Sequence, residues 1–77
     1  MRLMTVDKDI DVCGKACPMP LITLAGEVSI MRKGQLLRIT GNDPVFEVSI
    51  LDFCRERNYE VLETCHNGKK VSIVFKI

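Results

Sequence analysis

The sequence predicts a two-layer α/β (α+β) domain of element order β-α-β-α-β-β, a four-stranded mixed sheet with two helices on one face. Three observations predict it. Two segments repeat apolar residues at helical spacing, Leu21, Leu24, Ala25, Val28 and Met31 in one, Phe46, Ile50, Phe53 and Cys54 in the other. The C-terminal part alternates, with Val71, Ile73, Phe75 and Ile77 following Asn67-Gly68, the strongest short-range hairpin signal. Each helical segment follows a β-prone run, so right-handed crossovers place both helices over the same sheet face. At 77 residues the chain makes one domain, residues 1–77, near the size at which a single core only just offsets conformational entropy.

The first strand falls within Leu3 to Val12, where Met4, Val6, Ile10 and Val12 share a parity broken by Lys8. Gly14 ends it with a tight turn. Cys17-Pro18-Met19-Pro20 then opens the first helix, since proline at the first helical position is pre-set in φ and gives up only an amide hydrogen the helix cannot use. Arg32-Lys33-Gly34 predicts its end near Lys33, with cations in the last turn and glycine at the stop. Gln35 to Thr40 reads as the second strand, and Gly41-Asn42-Asp43-Pro44 as a turn with Asp43 as N-cap and Pro44 opening the second helix. That helix ends near Arg57, with Asn58 in the left-handed capping conformation.

Tyr59 to His66 and Lys69 to Ile77 form the closing hairpin. A two-residue loop would set Leu62 beside Ile73, whereas a three-residue loop with a bulge sets Val61 against Phe75 and Cys65 against Val71; we take the second. With both helices on one face, Leu36, Leu62 and Val74 become candidates for the other, either as isolated surface hydrophobes or as a docking patch.

Composition excludes several classes. The net charge of +1 offers no electrostatic footprint for direct nucleic-acid binding, and Arg32-Lys33 and Lys69-Lys70 read as solvated turns. Acidic residues near the N-terminus occupy the place of a signal peptide's apolar core, and no apolar run is long enough to span a bilayer. A soluble, cytoplasmic protein is expected. Four cysteines without a secretory signal point to reduced thiols, metal or sulfur chemistry rather than a disulfide framework.

Cys17 is the reactive candidate. As N-cap of the first helix it would face the Met19 and Leu21 amides and the positive end of the helix dipole, a setting that favours thiolate. Such a thiolate serves as nucleophile, redox centre, metal ligand or sulfur carrier. One histidine, His66, and too few residues to enclose a large pocket argue against a self-contained hydrolase. No Cys-x-x-Cys is present. Cys13, Cys17, Cys65 and His66 could sum to four zinc ligands, but Cys-x-x-x-Cys is a poor structural-zinc spacing, and neither a metal nor another cofactor is expected. Cys54 reads as a buried core thiol, Cys65 as structural and His66 as a solvated turn residue; Cys13 is either a packed strand-end residue or a second functional thiol.

Asp11-x-x-Gly14-x-x-Cys17-Pro18-x-Pro20, followed by Gly34 and Asp43-Pro44, resembles the TusA/SirA-like sulfur carrier proteins over nearly the whole chain. The resemblance implies the same two-layer fold, and it implies that Cys17 accepts sulfane sulfur as a persulfide, supported by Asp11, Gly14, Pro18, Met19 and Pro20. It also implies a sulfur donor protein, a cysteine desulfurase or rhodanese, and an acceptor sulfur-relay protein. The pathways it implies are tRNA thiolation, molybdenum cofactor biosynthesis or sulfur oxidation. The chain would act with partners, as a monomer, rather than as a self-contained enzyme. Two positions depart from the family pattern: Cys13, where an arginine or aliphatic residue is common, and Asn58, where glycine is. Cys13 keeps an alternative open, a thiol redox or regulatory module built on a Cys13–Cys17 pair.

Overall fold

The computed structural model describes residues 6–14 and 19–77, with only the backbone given for Met19 and Pro20. Its elements are β1 (Lys8–Asp11), α1 (Met19–Val28), β2 (Leu36–Gly41), α2 (Phe46–Glu56), β3 (Glu60–Asn67) and β4 (Lys70–Lys76). The strands form one sheet of order β1-β2-β4-β3, with β1 and β2 parallel and the other neighbours antiparallel. This is the predicted architecture.

One core serves every element except β3. Leu37 and Ile39 of β2 lie beside Phe75 and Ile73 of β4, and Ile10 of β1 lies beside Ile39. Against these pack Leu24 and Val28 of α1 and Phe46, Ile50 and Cys54 of α2. The helical spacings therefore identify the buried faces correctly. Gly41 closes the β2 row for a steric reason: a Cβ there would lie 2.5 to 2.9 Å from the Phe46 ring, so α2 rests directly on strand backbone.

The opposite sheet face is polar, contrary to the apolar patch entertained from the sequence. Two cross-strand rows line it, Asp9, Arg38, Val74 and Glu63 in one and Asp11, Thr40, Ser72 and Cys65 in the other. Arg38 donates from Nη2 to Asp9 Oδ2 at 2.6 Å, and the Thr40 and Ser72 hydroxyls are 2.9 Å apart. Val74 is only 4% exposed, while Leu36 and Leu62 are half-buried.

Boundaries differ from expectation at two places. α1 stops at Val28 rather than near Lys33: after Ser29 bonds back to Ala25, the chain tightens to i→i−3 bonds from Ile30 and Met31, and Ser29 Oγ donates to the Gly26 carbonyl. Met31 still packs on the core, so the apolar stripe outlasts the helix that it predicted. Regular α2 begins at Phe46 rather than Pro44, although Asp43 still accepts the Val45 N–H at 3.1 Å. At its other end Asn58 has φ +61°, Asn58 N–H reaches the Arg55 carbonyl and Tyr59 N–H the Cys54 carbonyl, the double bond of a Schellman cap.

The hairpin register is mixed. Val61 does face Phe75, but the bulge that permits it lies at Leu62, not in the loop. The loop is the two residues Gly68-Lys69, so Cys65 faces Ser72 rather than Val71, and Thr64, not Leu62, lies beside Ile73. Gly68 takes φ +64° as first loop residue, the position where a type II′ turn requires glycine.

Gly41→Ala is expected to destabilise the domain by about 1–3 kcal/mol through overpacking against Phe46, read as a lower midpoint in urea unfolding; an unchanged midpoint would contradict the contact. Burial also pushes the Cys54 thiol up to about 12 from an ordinary 9.0. A raised folded-state value means the folded protein holds the proton that the unfolded chain releases. Stability from this group is complete below pH 9 and declines towards pH 12, by up to about 1.4 kcal/mol per pH unit. Cys54→Ala should flatten that alkaline slope, whatever it does to stability at neutral pH.

Candidate functional site

The parallel β1–β2 pair and the start of β4 bring three connections to one edge of the sheet. Val12 N–H donates to the Thr40 carbonyl at 2.8 Å, extending the parallel ladder one residue past β1. Asp11 Oδ1 then accepts the Cys13 N–H at 2.9 Å, bending the chain out of the sheet. Gly14 follows with φ +85°, and its N–H donates to Asn42 Oδ1 at 2.8 Å. That bond ties the β1–α1 connection to the β2–α2 connection across 28 residues of sequence.

Asp11, Cys13 and Gly14 are thus gathered at this edge, and Met19 and Pro20 are the first two residues of α1. Cys17 and Pro18 lie outside the described residues, so the expectation that Cys17 caps α1 does too. Along the chain Cys17 stands three residues after Gly14 and two before the start of α1.

The other thiols are distinguished by their surroundings. Asp11, hydrogen-bonded to the partly exposed Cys13, raises that thiol above its ordinary value, and the same contacts hold the Asp11 carboxyl below its own. Thiol is therefore favoured over thiolate at Cys13. Cys54 is fully buried, as expected. Cys65, expected to be structural, is exposed on the polar sheet face. Its strand is separated from β1 by β2 and β4, about 14 Å across the sheet at the usual strand spacing, too far for a bridge to Cys13. His66 occupies the alternate position and reaches the helix side, where Nε2 lies 2.9 Å from Glu47 Oε1. Cys65 and His66 therefore do not converge on one ion, and His66 links the hairpin to α2 instead of being merely a solvated turn residue.

Beside Gly14 a trough of about 700 Å³ opens between the three connections, lined by Gly14, Asn42, Asp43, Pro44, Glu47, Lys69 and Val71. Lys70, next in the hairpin, exerts its charge on Asp11 and Cys13. Sequence reasoning reached the turn containing Asn42 and the basic pair Lys69-Lys70, but not their meeting at the motif edge. Only the punctuation of Gly41-Asn42-Asp43-Pro44 signalled the position, and the partner of Asn42 is set by the strand pairing.

A two-layer α/β domain with a cysteine–proline motif between its first strand and first helix defines a small class of proteins. This chain belongs to the family described as sulfurtransferase TusA, whose sequence pattern matches residues 8–77. It is 26% identical over 70 residues to the sulfur carrier protein TusA of Allochromatium vinosum, a match covering 91% of this chain and 92% of that protein. A protein of Aquifex aeolicus is 27% identical over 77 residues, but the chain spans only 39% of that relative's length. The fold is shared with a SirA-like protein of Desulfitobacterium hafniense at a TM-score of 0.77 and 14% identity, over 90% of this chain and 95% of that one.

Replacing Asp11 by Asn removes the carboxylate that raises the Cys13 thiol. Alkylation of Cys13 by iodoacetamide at neutral pH, followed on the peptide that carries it, should become faster as its thiolate fraction rises. An unchanged rate would show that Asp11 does not control this thiol.

Proposed function

We propose that the chain is a sulfur carrier whose Cys17 takes up one sulfane sulfur as a persulfide and passes it to the thiol of a partner protein. The observation that carries this reading is the match of residues 8–77 to the sulfurtransferase TusA family, a span that includes Cys17, two residues before the start of α1 along the chain. The first amides of a helix lack intrahelical acceptors, and its positive dipole end favours a thiolate or a persulfide anion. Pro18 and Pro20 contribute no N–H of their own.

The exchange balances without an external oxidant. The Cys17 thiolate attacks the outer sulfur of a donor persulfide, a sulfur–sulfur bond forms on Cys17, and the donor departs as thiolate. Delivery reverses the roles: an acceptor thiolate attacks the outer sulfur and Cys17 leaves as thiolate. A donor of the cysteine desulfurase or rhodanese class and a sulfur-relay acceptor satisfy these steps, and tRNA thiolation, cofactor biosynthesis and sulfur oxidation are the processes they would serve. A monomer in the cytoplasm suits a carrier that presents one site to successive partners. No helix among the described residues is long and apolar enough to cross a membrane.

The pairing of Cys13 with Cys17 as a redox switch is the weaker reading. Asp11 raises the Cys13 thiol, which disfavours the thiolate that would attack a persulfide on Cys17. Incubation with a cysteine desulfurase and L-cysteine is expected to add one sulfur atom by intact mass, abolished in Cys17→Ser and kept in Cys13→Ser. Sulfur addition that survives loss of Cys17 would remove the assignment.

A further inference from the structure

The two helices run parallel, because β1, β2 and β3 share one direction, and so the domain has two unlike edges. Both helices start at the edge from which the chain proceeds to Cys17. They end at the other, about 16 Å away along the eleven residues of α2. There the α1–β2 connection, the α2–β3 connection and the end of β4 border an open cleft of about 480 Å³.

Three cations line this cleft, Lys33, Arg57 and Lys76, one from each of those segments, and all are exposed. None forms an ion pair among the described residues. Glu60, opposite Lys76 in the ladder, is the one acidic side chain in the lining. With a main-chain carboxylate at Ile77 also counted, the cations still outnumber the anions, and the Ile77 carbonyl already accepts the Gly34 N–H at 2.8 Å. The dipole of α2 accounts for Arg57 at its C-cap, but not for Lys33, five residues past the end of α1, nor for Lys76 on β4. The Arg57 guanidinium lies 4.5 Å over the Phe53 ring, a contact that fixes its flat face and leaves its in-plane N–H groups available to a carboxylate.

We propose that this cleft is a docking site for the carboxylate side chains of an acidic segment in a partner protein, with Arg57 as the bidentate donor and Lys33 and Lys76 as supporting charges. Two observations favour a polypeptide over a nucleic acid. The net charge of +1 supplies no long-range field for a polyanion. The aromatic ring in the lining, Tyr59, is stacked on Phe75 at 5.6 Å and tilted against Phe53 at 6.1 Å, so it packs within the protein instead of offering a platform for bases. The site stands on these residues and not on the chemistry of Cys17. The carrier reading adds a consequence: a partner seated here leaves the Cys17 edge open for exchange.

The test follows the backbone amides of the isotope-labelled full chain by NMR during titration with a cysteine-free hexaglutamate peptide at low ionic strength. Saturable shifts are expected at Lys33, Gly34, Arg57, Asn58 and Lys76, fading at high salt, and none with hexalysine. Lys33→Glu and Lys76→Glu should each weaken hexaglutamate binding about three- to tenfold. Lys69→Glu changes net charge equally at the opposite edge and should leave the affinity unchanged. Shifts centred elsewhere, a titration that does not saturate, or equal weakening in all three variants would overturn the proposal. Tighter binding of a hexauridylate at the same residues would overturn the polypeptide occupant. Loading of Cys17 by inorganic polysulfide, read by mass, should proceed at the same rate with hexaglutamate bound, and a block would overturn the independence of the two edges. Failure to load without peptide would instead remove the carrier reading and leave the docking site standing.

Discussion

Phe46 lying on the bare backbone of Gly41 is the contact on which the geometry of the functional edge depends. Glycine at the end of β2 costs the strand some rigidity, because it has no side chain to pack and loses the most entropy on ordering. What it permits is a helix that starts immediately over the strand end. With Phe46 fully buried there, the four residues between Thr40 and Val45 have almost no freedom, and Asn42 is delivered to the Gly14 amide. A side chain at Gly41 would lift α2 off the sheet and carry Asn42, Asp43 and Glu47 with it. In so small a domain, core packing and site geometry are set by the same atoms.

The same economy divides the cysteines. Cys54 has a packing role, fully buried and held as thiol by desolvation. Cys13 is partly exposed, and a carboxylate hydrogen-bonded to it raises its thiol. Two different physical causes reach the same chemical result, thiols that resist deprotonation. A carrier benefits from that silence, because a second thiolate beside a persulfide would release hydrogen sulfide and close a disulfide. Asp11 thereby does two things with one carboxylate: it turns the chain out of β1 and it keeps the neighbouring sulfur quiet.

Local rules were legible in the sequence wherever one segment decides its own state. The helical stripes named the buried faces, Asn58 was read as a left-handed cap from its position after α2, and the hairpin followed from Asn67-Gly68. Boundaries were harder, because competing hydrogen bonds differ by little: a serine hydroxyl ended α1 while its apolar stripe ran on to Met31. The bulge at Leu62 was displaced from the turn because Gly68-Lys69 already closes a two-residue loop, so the extra residue had to be absorbed further along β3. The Asn42 bond, the Glu47–His66 pair and the position of Lys70 near Asp11 all join residues far apart in the chain, and no periodicity announces such meetings.

Those non-local meetings explain why a motif of four residues requires a folded domain around it. A helix N-terminus by itself favours an anionic sulfur by a modest amount, and any short peptide helix would share that preference. What a free helix lacks is a wall beside its start. Here strand order supplies one, because β4 runs antiparallel to β2 and so returns its first residues to the edge where β1 and β2 end. The hairpin that closes the sheet consequently places Lys69 in the trough it shares with Gly14 and Asn42. Reversing β4, or adding a residue to the Gly68-Lys69 loop, would leave the core composition intact and remove the wall. On the carrier reading, the topology serves to bring the hairpin tip and the β2–α2 connection beside the connection that leads to Cys17.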